Sequence, residues 1–332
     1  KDILRRKRMG RFLRTFSYRI GPESGGRTVE AYLMREQRYS RKLMIKLKQD
    51  PFGLRVNGAR ARSVDLLRPG DLLETGLSDE SRPSAAEPYE REVPVLYEDD
   101  DLIVYDKPAG LACHPSGIHR ADTLAGVFAA DCLRRGLAPS PLRLASRLDR
   151  DTTGALVAAK HQLAAGRLWK TVQKRYLAVA AGRLEPAEGR ICLPIIREAP
   201  RSMRRVVDPA GQEAVTEYRT LAAGDGMSLL GIVLPTGRTH QIRVHLSYLG
   251  HPLCGDTFYG GESAKIGRQA LHCAAVIFPH PADGREMRVP SPVPADMARL
   301  FGRIEGAEKA AGGFCANYEE GGDRGIPESE KI

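Results

Sequence analysis

The sequence predicts an α+β protein: a larger domain on a mixed or antiparallel sheet, preceded by a small basic α+β module. Three observations support this. Strand-like and helix-like segments are interspersed without a regular β-α-β repeat. No glycine-rich phosphate loop joins a strand to a helix, which sets nucleotide-cofactor folds aside. The chain has 332 residues, 42% hydrophobic and 28% charged, enough to bury one mid-sized core and one small one.

Residues 1–26 read as a basic leader, rich in arginine and poor in acids, with Met9 a candidate start. It is open as a nucleic-acid-binding arm or an organelle-targeting segment, and no function is assigned to it. Residues 27–78 form the small module. Val29, Tyr32 and Leu33 share one helical face, and Leu43, Met44 and Leu47 mark a second short helix with Ser40 as its N-cap. Leu54-Arg55-Val56 is a strand that runs into Asn57-Gly58, a dipeptide suited to a tight hairpin. Arg68-Pro69-Gly70-Asp71 turns the chain into Leu72-Leu73-Glu74. The helices carry Arg38, Arg41, Lys42, Lys46 and Lys48, so the module is basic as well as compact.

Residues 79–92, rich in Ser, Pro, Ala and Glu with no apolar period, are expected to be a flexible linker. The larger domain then spans 93–304. Its first strand, Leu102 to Tyr105, stops at the turn Lys107-Pro108-Ala109-Gly110. Further strands are expected over Gly154–Ala159, Tyr176–Ala180, Ala214–Leu221 and Met227–Leu234, and helices over Thr123–Arg134, Leu163–Gln173 and Thr239–Leu249. In the last helix Ile242, Leu246 and Leu249 line one face, which must be buried. Residues 305–332, rich in Gly and Glu, read as a disordered tail.

Fifty-one Lys and Arg against 41 Asp and Glu leave a net charge of +10, which suits a polyanionic partner and equally a merely soluble basic protein. The six cysteines are scattered without a Cys-x-x-Cys pair, so they read as reduced thiols of a cytoplasmic protein and not as a metal site. His240 and His245, five apart, lack the spacing of a helical zinc site. No apolar run approaches the roughly 20 residues that cross a bilayer.

Two stretches carry the chemistry. Ser146-Arg147-Leu148-Asp149-Arg150-Asp151-Thr152-Thr153-Gly154 puts acids in an arginine-rich loop just before an apolar strand. Alone, it is also compatible with ordinary turn chemistry. Pro235-Thr236-Gly237-Arg238-Thr239-His240-Gln241-Ile242-Arg243-Val244-His245 runs a loop of donors into an amphipathic helix, with Leu249-Gly250-His251-Pro252 behind it. That arrangement suits a phosphate or a carboxylate, although a solvated helix start would look similar.

Together these stretches resemble the two signature motifs of the RluA family of pseudouridine synthases. Tyr97-Glu98-Asp99, Asp106-Lys107-Pro108-Ala109-Gly110, Lys174-Arg175-Tyr176-Leu177-Ala178, Gly255-Asp256-Thr257-Phe258-Tyr259 and Leu271-His272 match as well, and the similarity runs from about Val93 to Phe301. Tyr39-Ser40-Arg41, Val56-Asn57-Gly58 and Arg68-Pro69-Gly70-Asp71 resemble a small RNA-binding domain first seen in a ribosomal protein of the small subunit.

The resemblance implies an isomerase of uridines in structured RNA, ribosomal RNA ahead of transfer RNA, needing no cofactor, metal or obligatory protein partner. It makes Asp149 the catalytic carboxylate and Arg147 the residue that enters the helix stack as the target base leaves. Tyr176 becomes the ring that stacks on that base, and Arg243 the basic partner of the carboxylate. A neighbouring guanidinium would favour the ionised carboxylate and orient it. The family usually opens the first motif with His where this chain has Ser146, which bears on positioning; Thr153 replaces a commoner Ser and keeps the hydroxyl. His240, His245, His251 and His272 are expected to pack and hydrogen-bond rather than catalyse.

Two other classes, another base-modifying enzyme and a non-enzymatic RNA clamp, are also compatible with the basic charge. A deaminase lacks its zinc signature here, and a thiol-dependent methylase would rely on Cys113 or Cys254. A pure RNA clamp would have no need of Asp149 in an anion-binding cleft.

Overall fold

The computed structural model describes residues 13–78, 86–116, 121–137, 139–261 and 264–316. Strand β1 (Leu13–Arg19) opens it, followed by helices α1 (Val29–Arg35) and α2 (Arg41–Gln49) and strands β2 (Leu54–Val56), β3 (Ala59–Arg60) and β4 (Leu72–Ser78). These strands form an antiparallel sheet in the order β1-β4-β2-β3. Short polar side chains start both helices: Thr28 accepts the Ala31 N–H and Ser40 the Leu43 N–H, each at 3.2 Å. The apolar faces read from the sequence close a small core with Phe16, Ile20, Leu54 and Leu73. Asn57 holds its hairpin to β4, accepting the Leu72 N–H at 2.9 Å and donating to Asp71 at 2.8 Å.

The basic leader is therefore shorter than residues 1–26. Leu13–Arg19 pairs with β4 from Leu13 opposite Ser78 to Arg19 opposite Leu72, and Phe16 and Ile20 belong to the core. Charged and polar residues alternate with those inward side chains, so a composition-based reading missed the strand. Residues 1–12 of the leader lie outside the described residues.

The rest of the chain contributes β5 (Val95–Glu98), β6 (Leu102–Lys107), α3 (Leu124–Arg134), β7 (Arg143–Leu144), β8 (Thr153–Ala159), α4 (Gln162–Leu168), β9 (Gln173–Ala181) and β10 (Glu188–Cys192). A hairpin of β11 (Ile195–Arg197) and β12 (Arg205–Val207) precedes β13 (Val215–Gly224), β14 (Met227–Val233), α5 (Gln241–Tyr248), β15 (Leu271–Pro279), β16 (Glu286–Pro290), α6 (Ala295–Phe301) and α7 (Ala307–Ala316). The main sheet runs β10-β13-β14-β9-β15-β8-β6-β5, with β16 added to β15 and β7 to β8. β15 runs parallel to β8, His272 opposite Thr153, whereas its pairing with β9 is antiparallel, so the sheet is mixed as expected.

Both faces of the sheet centre are covered. Along β9, Tyr176, Ala178 and Ala180 face the main core, while Leu177 and Val179 face a second core that includes Met297 of α6 and Ala307 and Ala311 of α7. Burial on both faces is why β8 and the Tyr176–Ala180 part of β9 read as near-continuous apolar runs.

Three boundaries differ from expectation. The linker's last residues are packed: Ala86 is buried and the Tyr89 N–H donates to the Gly126 carbonyl of α3 at 3.0 Å, while residues 79–85 lie outside the described residues. The tail is helical over Ala307–Ala316 because Ala307, Ala311 and Phe314 fall on one face; Phe314 packs against Gly231 and lies 5.5 Å from the Arg175 guanidinium. Residues 317–332 lie outside the described residues. The helix expected to reach Gln173 stops at Leu168, and Lys170, with φ 61°, turns the chain into β9.

The two cores also meet. Leu163 of α4 is buried in the small core. Arg14 of β1 forks onto Asp101 with two 3.0 Å bonds, and His161 Nε2 lies 2.8 Å from the same carboxylate. Burial pushes the Asp101 carboxyl up, but its bonds to His161 and Arg14 outweigh that and hold it well below the usual carboxylate range.

Candidate active site

The loop before β8 is fixed to the sheet at several points. Lys107, fully buried, donates to the carbonyls of Pro108, Leu111 and Arg150 at 2.8, 2.9 and 2.8 Å. Burial pushes its ammonium down to about 8. Asp151 accepts the Gly110 N–H at 3.1 Å, and the Asp149 carbonyl accepts the Thr152 N–H at 3.2 Å. The Lys107–Gly110 turn thus holds the backbone on the C-terminal side of Asp149.

Gly154 follows with φ 114°, and a Cβ there would lie 2.2 Å from the Cys273 carbonyl oxygen of β15, so only glycine lets the strands approach this closely. Thr153 and His272 meet at 2.9 Å, and His272 Nε2 lies 3.3 Å from the Ser291 carbonyl. Burial pushes His272 down to about 4, so the imidazole is neutral: Nε2–H donates to the carbonyl and Nδ1 accepts from the threonine.

The second motif is fastened to β13. Gln241 donates to the Val215 carbonyl at 2.8 Å, and its own oxygen accepts the Arg238 N–H at 2.9 Å. His240 takes a left-handed conformation, φ 58°, and α5 starts behind it. One turn in, Arg243 projects from α5 with a side chain 8% exposed. Its Nη1 lies 3.3 Å from Asp149 Oδ2, and the Asp149 side chain is 24% exposed.

The stronger bonds of Arg243 go elsewhere. Nε and Nη2 fork onto the Asp256 carboxylate at 2.6 and 2.8 Å, and that side chain is 1% exposed. Burial works against the guanidinium charge, but the bonds and charges of Asp256 and Asp149 outweigh it and hold Arg243 above its ordinary value. The Tyr259 ring lies 5.0 Å from the guanidinium, within cation–π range. The Tyr259 hydroxyl accepts the Arg205 N–H at 3.0 Å and lies 2.8 Å from His240 Nδ1, while His240 Nε2 is 4.0 Å from Asp149. Burial lowers His240's pKa, favouring a neutral ring whose Nδ1 accepts a hydrogen bond from the Tyr259 hydroxyl and whose Nε2–H faces Asp149.

Of the four residues singled out in the sequence, Asp149 and Arg243 are in contact. Tyr176 sits on β9 opposite Cys273, 4% exposed and part of the main core. Burial, then the charges of Cys273 and Asp149 among others, hold its hydroxyl well above the usual range. Lys174 Nζ lies 5.5 Å from its ring and 3.4 Å from the Arg147 carbonyl. Arg147 is exposed. His245 and His251 make hydrogen bonds away from Asp149, to Thr216 and the Leu193 carbonyl and to the Ala181 carbonyl. Sequence reasoning gave no role to Asp256 or Tyr259, although both stand in the quoted Gly255–Tyr259 stretch; the available signal was an acid one residue after a glycine, too common to single out.

Known proteins are similar to this chain in sequence and fold. The family described as RNA pseudouridylate synthase matches residues 101–248. A Bacillus subtilis (strain 168) protein named uncharacterized RNA pseudouridine synthase YjbO is 39% identical over 269 residues, covering 79% of this chain and 94% of that protein. The ribosomal large subunit pseudouridine synthase D of Vibrio vulnificus (strain CMCP6) is 38% identical over 62% of this chain and 69% of its own. Among solved structures, human RNA pseudouridylate synthase domain containing 4 superposes with a TM-score of 0.52 at 25% identity, covering 63% of this chain and 92% of that one.

Proposed function

Because the chain belongs to the RluA-type RNA pseudouridine synthases, isomerases of uridines in RNA, we propose that its reaction turns on Asp149. The observation that carries this reading is the 3.3 Å contact of Asp149, partly exposed, with Arg243, made across 94 residues of the chain. Pseudouridine formation breaks the bond from C1′ to N1 of uracil, turns the base and rejoins it through C5. The C5 proton leaves to solvent and N1 gains one, so the atoms balance without a redox partner. An ionised carboxylate serves either as nucleophile at C1′ or as base toward a sugar proton, and both routes use Asp149.

Arg243 orients that carboxylate. Arg147, exposed, takes the place of the departing base in the stack, and Tyr176, packed in the main core here, stacks on the base once RNA binding uncovers its ring. Extruding a nucleotide costs a few kcal/mol; one stacked ring returns about 1–3 kcal/mol. The substrate we favour is large-subunit ribosomal RNA, the class named for the Vibrio relative, with transfer RNA as the second class to test. That substrate puts the reaction in the cytoplasm, and no described helix is long and apolar enough to cross a membrane. The small module, with Arg41 and Lys42 exposed at the start of α2, captures the RNA.

The test uses RNA carrying tritium on C5 of uracil, with the parent chain and Asp149→Ala side by side. Tritium released to water by the parent alone supports the assignment. Equal release by the variant moves the chemistry to another group, and RNA bound without release by either favours a clamp.

A further inference from the structure

An arginine facing one carboxylate in a buried site normally uses two parallel N–H groups to bind it. Arg243 faces two carboxylates and divides itself unequally. Its fork is taken by Asp256 at 2.6 and 2.8 Å, which leaves one longer contact, 3.3 Å, for Asp149. Among the described residues Arg243 is also the one hydrogen-bond donor to the Asp149 side chain, through Oδ2, so Oδ1 stays free.

Asp256 is built for this. Gly255 before it has φ 74°, and a Cβ there would meet the Arg268 carbonyl oxygen at 2.1 Å. The Asp256 carbonyl accepts the N–H groups of Tyr259 at 3.0 Å and Gly261 at 2.8 Å, so its backbone is held from the C-terminal side. Its carboxylate is closed to solvent and has no evident use except toward Arg243.

We propose that Asp256 is a positioning residue for the isomerisation: by occupying the Arg243 fork it keeps Asp149 oriented, only partly neutralised and free to react. The proposal rests on the reading of Asp149 as the catalytic carboxylate. A carboxylate clamped by both arms of a guanidinium has spent the lone pairs that a nucleophile or base must offer. With Asp256 present, two negative groups share one positive group, and Asp149 keeps its charge without being sequestered. Other titratable groups also act on Asp149: His240 ahead of α5, Lys107 on β6, Cys113 beyond it, Lys174 and Tyr176 on β9, and Tyr259 after Asp256. None of these competes for the guanidinium fork.

The test is Asp256→Asn in the full chain, which keeps the side chain's shape and removes its charge. Tritium release is measured against pH under saturating RNA, with Asp149→Ala and the parent alongside. The expected result is a kcat lower by about tenfold or more, the loss expected of a charged hydrogen bond, with little change in KM. The acid limb of the kcat profile should move to lower pH, because Arg243 then turns to Asp149 alone. A parent-like kcat and acid limb, or a loss confined to KM, overturns the proposal while an inactive Asp149→Ala leaves the underlying reading intact. An active Asp149→Ala removes that reading and the proposal with it. Should Asp256→Asn not fold, Asp256→Glu takes its place: the charge remains, so the acid limb should stay with the parent's while kcat falls, and a displaced limb overturns the proposal.

Discussion

Replacing Arg243 with Met separates what the guanidinium does for stability from what it does for chemistry. The side chain is 8% exposed and compensates two carboxylates with very different access to water, Asp149 at 24% and Asp256 at 1%. Without Arg243, water can solvate Asp149, but Asp256 becomes a buried, unpaired charge. Breaking a buried pair in this way costs about 3–5 kcal/mol. For a domain of this size each kcal/mol lowers the unfolding midpoint by about 2–4 °C, so a fall of about 6–20 °C is expected. Nearly all of it should come from Asp256, and Arg243→Met combined with Asp256→Asn should recover a substantial part, leaving the about 1–3 kcal/mol of an unsatisfied neutral amide. Neither variant should release tritium at the parent rate. Thermal and urea unfolding of the three chains is the assay. A midpoint for Arg243→Met within about 3 °C of the parent, roughly 1 kcal/mol, would refute the burial argument, as would a double variant no more stable than the single one.

Two further outcomes follow from the structure. His272 is pushed down from its ordinary 6.5 to about 4, so its contribution to stability is fully present above pH 6.5 and is lost as pH falls toward 4. That amounts to about 3 kcal/mol; unfolding free energies at pH 7 and pH 4 should therefore differ less for His272→Gln than for the parent, and equal differences would sink the assignment of a neutral ring. In the small module, Arg41→Gln with Lys42→Gln should weaken RNA binding and reduce the slope of log affinity against log salt by about 2, and a filter-binding series with an unchanged slope would take that surface out of RNA capture.

The parts of the fold legible in the sequence are those where one physical rule dominates. The strands at Leu102–Lys107 and Thr153–Ala159 and the Tyr176–Ala180 part of β9 are buried on both faces and stand out as apolar runs between turn residues. The caps at Thr28 and Ser40 and the Asn57-Gly58 hairpin are short-range chemistry. Other elements needed partners the sequence does not display. Leu271–Pro279 is a central strand, yet His272 and Cys273 interrupt its apolar pattern, and a register shift between Cys273 and Ala275 breaks its alternation. β1 draws its stability from pairing with β4, about 60 residues further along the chain, and α7 from a thin stripe of alanines on a sheet.

At the candidate active site the family resemblance pointed to the pairing of Asp149 with Arg243, but not to its balance. A sequence suggests pairs, one acid with one base, whereas the fold gives Arg243 two acids and ranks them by distance. This changes what residue 243 must be. By charge alone a lysine would serve Asp149 as well as arginine does. By geometry it would not, because an ammonium is a compact point charge on a flexible stem and cannot hold Asp256 through two fixed bonds while aiming a third at Asp149. The Tyr259 ring, 5.0 Å from the guanidinium, adds a cation–π contact to the same group. Position 243 therefore requires arginine because of Asp256, a residue whose importance becomes visible only when the turn after Gly255 is folded against α5.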